Sequence, residues 1–207
     1  YGADNWPEEY RGQVFTMNLH GRRINRDTLK RQGAGYVGHH AEDLMRTNDL
    51  WFRGTDLGYG PDGGVFVLDW SDIGECHEND GIHRASGRIF KITYGKTKPL
   101  TKDLAKVNSL VLANLQTHSN EWYARMARRV LQERAVAGEA LGEVREHLFR
   151  LYSDIESVSH RLRTMWALHV TGGLQEEWLI KQSHDENEHI RVWSIKLLTD
   201  DGQVSGR

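Results

Sequence analysis

The chain has 207 residues and a formal net charge of −2, with 27% charged and 38% hydrophobic residues. This charge balance argues against a nucleic-acid-binding protein, which would need a strongly basic face. No apolar run approaches the length of a membrane span, and the single cysteine excludes an internal disulfide.

The glycines divide the chain into two parts. Fifteen of the 21 glycines precede Pro99, and long helical patterns occur only after it. A linker-like break at residues 95–99 separates the two patterns. We therefore expect a mixed fold, β then α, with one domain over residues 1–98 and a helical domain over residues 99–207.

Strand patterns dominate the first part. Residues 13–19 alternate as a strand does, and residues 24–29 form a second candidate. Residues 65–68 are an apolar run after the turn-forming residues 60–64, and residues 87–94 alternate again. These signals cannot close a propeller, which needs at least four sheets of about four strands. We expect about two blades at most, with exposed edges.

A long polar loop, residues 69–84, separates the last two strands and carries five carboxylates. Asp69, Asp72, Glu75 and Asp80 supply the oxygen ligands that a hard cation such as calcium prefers. The favoured interpretation is structural: the carboxylates cap loop amides and pair with neighbouring basic groups. The other loop residues with this structural role are Cys76, His77, His83 and Arg84. Adjacent Cys and His residues are unlike a zinc site.

The second part repeats a helical pattern. Met126, Met165 and Trp193 occupy equivalent positions at offsets of 39 and 28 residues, which bracket the range of helical-hairpin repeats, the second offset being short. Long helices should begin near Asn120, His160 and Asn187. The pattern predicts a short HEAT-like α-solenoid. Its tryptophans are interpreted as packing residues, and the arginine-rich stretch 125–134 as an exposed face of the kind that can bind partners.

Residues 61–92 carry a resemblance to a known family. The sequence Pro-Asp-Gly-Gly, an apolar run, Asp-Trp-Ser-Asp-x-Gly-Glu-Cys-His and then Asp-Gly-Ile-His-Arg resembles the last propeller blade of the PVC-type membrane-bound dehydrogenase family. The resemblance implies the terminal blades of a sorbosone/glucose-dehydrogenase-like β-propeller, followed by HEAT-like repeats. It also implies a haem c region beyond this chain and a periplasmic or cell-surface location.

The resemblance also implies an activity. The chain would be a fragment of a quinoprotein-type oxidoreductase acting on a sugar or alcohol, with His20, Arg22 and Arg53 binding pyrroloquinoline quinone and calcium assisting. The catalytic base would lie outside this chain, and no residue pattern here independently identifies an enzyme. The alternative is a non-enzymatic protein-binding module whose helical repeats present a surface to a partner.

Overall fold

A computed structural model describes residues 1–74, 81, 83, 85–98, 100, 102–200 and 202. The chain divides into two compact units, Tyr1–Leu100 and Thr101–Arg207. We call them the N-terminal unit and the helical unit. Strands occur only in the first unit and α-helices only in the second, among the described residues. This supports the coarse expectation of a β-then-α chain.

The first sheet of the N-terminal unit contains four antiparallel strands. They are β1 (Val14–Asn18), β2 (Arg23–Gln32), β3 (Gly35–His40) and β4 (Met45–Arg46). Strand β2 is the centre, because β1, β3 and β4 all pair with it. The outer halves of β2 and β3 form an exposed hairpin, whereas Ile24 near the start of β2 is fully buried.

The second sheet has the order β5 (Gly54–Tyr59), β6 (Val65–Asp69), β7 (Arg88–Ile92), again antiparallel. Alternation along β6 decides which face is covered: Val65 and Val67 are buried, whereas Phe66 and Leu68 point to the exposed face. The turn between β5 and β6 uses Gly63 at a φ of 75°, a conformation that glycine adopts readily.

The two sheets share a small apolar core. Ile24 from the first sheet meets Phe52, Val65 and Val67 from the second. Strands β1 and β5 approach closely at Gly54, where an added Cβ would lie 1.6 Å from Met17 Cε. Glycine leaves room for the end of the Met17 side chain, which an added Cβ would displace, so the residue at this position affects how closely the sheets pack.

The predicted fold class, terminal propeller blades followed by a HEAT-like α-solenoid, is wrong. The sheets have four and three strands, and neither is closed or propeller-like. A blade is a four-stranded sheet arranged around a central channel. Here β4 returns to pair with β2 beside β3, and the second sheet pairs only β5, β6 and β7 among the described residues. The chain is instead a small β-then-α structure with six helices in its described part.

The helices pack in two rows. They are α1 (Ser109–Asn114), α2 (Glu121–Val136), α3 (Gly142–Asp154), α4 (Val158–Val170), α5 (Glu176–Gln182) and α6 (Glu188–Leu198). Helix α4 lies between α2 and α6 and also packs on α3. Leucines of α1, α2, α3 and α4 form the larger core, and Met165 and Ile190 belong to a second core nearer α6.

The predicted starts of the long helices are confirmed for α2 and α6. Asn120 caps α2 by accepting a hydrogen bond from the Trp122 amide at 3.0 Å, and Asn187 caps α6 through the His189 amide at 2.9 Å. Helix α4 begins at Val158, near the expected His160. Local capping chemistry therefore marks these boundaries in the sequence.

The close approach at Gly54 can be tested with a single added methyl group. We expect Gly54→Ala to lower the free energy of unfolding by about 1–3 kcal/mol, the usual cost of overpacking, in urea unfolding followed by circular dichroism. Gly58→Ala in the same strand is the control, because nothing lies within 4 Å of its added Cβ. Equal stability of the two variants would contradict this account of the sheet spacing.

The cap of α6 gives a second test. Asn187→Ala should lower the free energy of unfolding by about 0.5–2 kcal/mol, the usual cost of losing an N-cap side chain. Ser157→Ala at the start of α4 is the matched control, since Ser157 makes no side-chain cap bond. If both variants changed the urea midpoint by the same amount, capping would not be what fixes the start of α6.

Candidate functional site

Arg53 is the best-defined of the predicted cofactor residues, and the structure buries it. Its side chain lies at the start of β5, and the residue is only 6% exposed. Nε donates to the carbonyl oxygen of Gly74 at 3.1 Å, and Nη2 to that of Ile73 at 2.8 Å. Nη1 donates to the carbonyls of Leu50 at 3.0 Å and Phe52 at 2.9 Å. Four of the five guanidinium N–H groups are thus used by the backbone.

Asp69, predicted as a metal ligand, is the partner that completes this arrangement. Its Oδ1 accepts hydrogen bonds from the backbone amides of Arg53 at 2.8 Å and Ser71 at 2.9 Å. Its Oδ2 accepts Arg88 Nε at 2.7 Å, and Arg88 also pairs with Asp49 at 2.6 Å. The buried carboxylate therefore joins the end of β6 to the start of β5 and to β7.

The charges of this network are stabilised by one another. Burial would lower the pKa of Arg88, but its hydrogen bonds with Asp49 and Asp69 outweigh that effect and raise the pKa. The hydrogen bond from the Trp51 amide, together with that from Arg88, lowers the pKa of Asp49. Both groups are therefore held in their charged forms, as expected for paired charges.

The rest of the predicted metal set does not form a site in the described residues. Asp72 is buried, and its Oδ1 accepts the Gly74 amide at 3.3 Å. No group of three or more His, Cys, Asp or Glu side chains suited to a metal is found in the described ranges. His83 contacts the Trp51 ring edge-on at 5.6 Å. The remaining predicted residues, Glu75, Cys76, His77, Asp80 and Arg84, lie outside the described residues.

His20 and Arg22 belong to a different place. Both lie in the turn between β1 and β2 of the first sheet, with Arg22 at a φ of 50°, whereas Arg53 directly precedes β5 of the second sheet. Since the guanidinium of Arg53 is already bonded to carbonyl oxygens, these residues do not fit a pyrroloquinoline quinone site that needs it. The quinone site stays a prediction from the resemblance.

The exposed face of the second sheet carries an open apolar cavity of about 650 Å³. Trp70 is 63% exposed and Ile89 is 73% exposed, and Leu68 lies between them. Polar groups reach only its edge, through Thr55 and the Asp69–Arg88 pair. Asp69 and Arg88 are bonded to each other, so the described lining of the cavity brings no other pair of charged groups together.

The helical unit presents a more distinctive surface on α2, α4 and α6. The Arg128 guanidinium lies 5.1 Å from the centroid of the Trp166 ring, and Trp166 meets Trp193 edge-on at 4.7 Å. Lys196 Nζ lies 4.6 Å from the centroid of Trp193. We call these four residues the cation–aromatic row. Each cation is within the distance at which a ring face attracts it.

Arg128 is also part of a cluster of like charges with Arg125 and Arg163. Burial lowers the pKa of Arg128, the charges of Arg125 and Arg163 lower it further, and only Glu121 opposes them. Burial and the charge of Arg163 likewise lower the pKa of His160. Positive charge is therefore concentrated and partly desolvated here, which is electrostatically unfavourable in the free protein.

In the described residues, ion pairs do not offset the repulsion among these arginines. Arg129 of the same helix pairs with Glu133, and Arg161 of α4 pairs with Asp185. No such pair involves Arg125, Arg128 or Arg163 in the part of the chain that the structure describes. Arg163 Nη1 donates to the carbonyl of His118 at 3.0 Å, and Arg128 Nη1 lies 3.4 Å from Gln116 Oε1.

The sequence pattern did not identify this surface. It predicted Trp166 and Trp193 as packing residues, and Trp193 does pack against the core that contains Met165 and Ile190. The arginines of α2 were predicted only as an exposed face. The useful signal was the equivalence of Met165 and Trp193 in the helical repeat, which places α4 and α6 in the same register. The contact between Arg128 and Trp166 follows only when α2 packs against α4.

Comparison with known proteins adds one finding. Residues 1–95 match the profile of a domain of unknown function, DUF7133, and this match lies within the N-terminal unit. Neither the curated proteins nor the solved structures include a match to the chain. None of the described helices is both long and apolar enough to cross a membrane. The relation to the dehydrogenase family stays a prediction.

A substitution of Arg53 tests whether its side chain stabilises the N-terminal unit, as its hydrogen bonds to carbonyl oxygens indicate. We expect Arg53→Lys to lower the free energy of unfolding by about 2–4 kcal/mol, because an ammonium group cannot reproduce four directed bonds to carbonyl oxygens. Arg22→Lys, which changes the other arginine predicted to bind quinone, is the control and should leave the urea midpoint nearly unchanged. A wild-type midpoint for Arg53→Lys would show that these bonds do not stabilise the unit.

Proposed function

We propose that the chain is a non-enzymatic binding module, and that the face formed by α2, α4 and α6 binds a segment of a partner protein. The cation–aromatic row is the observation that carries this proposal. Tryptophan and arginine are enriched among residues that dominate the energy of protein interfaces. Here two of each kind of group, aromatic and cationic, adjoin one another across three helices.

The packing of the helices supports the same conclusion. Helix α4 holds α2 and α6 on either side, so the row rests on a rigid set of helices with buried cores beneath it. Rigid aromatic side chains lose little conformational entropy on binding. Val192 and Ile195 add exposed apolar surface to α6, and such surface contributes to binding when a partner covers it.

The dehydrogenase prediction receives less support from the structure. It depended on a propeller, and the two sheets are not propeller blades. Arg53, the residue expected to bind the carboxylates of the quinone, donates to four carbonyls instead. The binding-module alternative needs neither feature. It uses the half-buried Arg128, Trp166 and Trp193 and the exposed Lys196 of the helical unit.

The proposal is tested by selecting peptides from a random display library against the whole chain. Selected peptides should lose about tenfold or more in affinity for Trp193→Leu, since truncating a central aromatic residue of an interface is costly. Trp178→Leu is the matched control, because Trp178 packs against the same core as Trp193 but its ring contacts are with Phe149 and Tyr152. Calorimetry gives the affinities, and circular dichroism confirms that both variants are folded.

Two results would contradict the proposal. One is a selection in which no peptide is enriched above the background of an unrelated protein. The other is a set of enriched peptides that bind Trp193→Leu and the wild type equally well, which would place the binding surface elsewhere.

A further inference from the structure

We infer that the segment bound by α2, α4 and α6 is acidic, and that Arg125, Arg128 and Arg163, together with Lys196 at the other end of the row, hold its carboxylates. This inference rests on the proposed function and adds the chemistry of the partner. Three arginines gather on two adjacent helices without an ion pair in the described part of the chain, although other arginines of the same helices have one.

The positive charges of these three arginines repel one another. Arg128 is partly buried beside two like charges, with Glu121 as its one acidic neighbour in the cluster. A carboxylate placed among them would replace repulsion with attraction, and the partly desolvated setting strengthens that attraction relative to water. The free protein therefore keeps an unfavourable charge arrangement that an anionic ligand removes.

The geometry leaves Arg128 able to make directed bonds. Its planar guanidinium lies 5.1 Å from the Trp166 centroid, and within the described residues its hydrogen bond uses Nη1 toward Gln116 Oε1. An arginine has five N–H donors in its plane. Contact with a ring limits its motion without using those donors, so the side chain is prepared for bidentate binding of a carboxylate.

The row also indicates how the acidic residues are spaced. Its three contacts measure 5.1, 4.7 and 4.6 Å from Arg128 through Trp166 and Trp193 to Lys196. The two cations at its ends therefore lie within roughly 15 Å of each other, a distance that about four residues of an extended chain span. An extended segment whose acidic residues are no more than about four positions apart would therefore reach both cations, with the tryptophans contacting the residues between.

A single-stranded nucleic acid is the competing ligand, since it also combines negative charge with stacking groups. The chain as a whole carries a net charge of −2, so it lacks the overall basic character that supports binding to a phosphate backbone. Helices α2 and α6, which carry the ends of the row, also have an acidic residue in their first turns, Glu121 and Glu188, and this mixed charge suits a protein segment of limited charge better.

The test analyses the peptides recovered in the display selection against the full chain. They should be enriched in Asp and Glu, with pairs three or four residues apart. For the most enriched peptide, replacing both acids with the amides Asn or Gln should weaken binding at least about tenfold by calorimetry. Raising the salt concentration from about 50 to 300 mM should lower the affinity of the acidic peptide but not that of its amide form.

Protein variants locate the effect. Arg128→Gln should lower the affinity for the acidic peptide about tenfold and hardly change the affinity for its amide form. Arg150→Gln on the exposed surface of α3 is the control and should change neither affinity. Arg163→Gln provides a second variant should Arg128→Gln fold poorly.

The possible failures are separable. If the selected peptides depend on Trp193 but are not acidic, or bind Arg128→Gln and Arg163→Gln as well as the wild type, the acidic ligand is wrong and the binding module stands. If an oligodeoxythymidine displaces the peptide and has a lower dissociation constant for the chain than the peptide has, the ligand class is nucleic acid. If no peptide depends on Trp193, the proposed function itself fails.

Discussion

A buried charge must keep its hydrogen-bonding partners, and this constraint organises the N-terminal unit around Asp69. The carboxylate accepts two backbone amides and Arg88, while Arg53 beside it donates to four carbonyls. Leaving any of these groups unpaired would cost several kcal/mol, on the order of 3–5 for a broken buried ion pair. The end of β6 and the start of β5 are therefore held in one relative position, and the core of Val67 and Phe52 packs beside them.

In the helical unit, the partly buried Arg161 has a carboxylate partner, whereas the partly buried Arg128 does not have one among the described residues. Arg161 donates to Asp185 at 2.6 Å and to Tyr152 at 2.9 Å, and both partners of the ion pair are mostly buried. Burial alone would raise the pKa of Asp185, but the bonds from Arg161 and the Asn187 amide hold it below its usual value. Arg128, partly buried on the neighbouring face, has like charges beside it instead of a carboxylate pair.

Local signals predicted the parts of the fold that local chemistry determines. The asparagine caps predicted the starts of α2 and α6, an apolar run predicted β6, and alternation predicted β7. Strand β5 was missed because Gly54, Asp56 and Gly58 have low strand propensity, and pairing with β6 imposes the extended conformation. The propeller prediction failed for a related reason. A Pro-Asp-Gly-Gly turn specifies the entry to one strand, whereas the pairing of β4 with β2 depends on distant residues.

The candidate site shows the same limit, because the function of an arginine depends on how many of its donors the fold uses. Arg53 was predicted to bind a ligand, yet four of its five N–H groups meet carbonyls of residues 50–52 and 73–74. Arg128 was predicted as a solvated face, yet it stacks on a tryptophan from another helix and has one contact to a side-chain oxygen. Neither environment is visible in the flanking sequence, since each is made by segments that meet only after folding. An arginine with its donors satisfied stabilises the protein, and one held in place with its donors unused is able to bind a carboxylate.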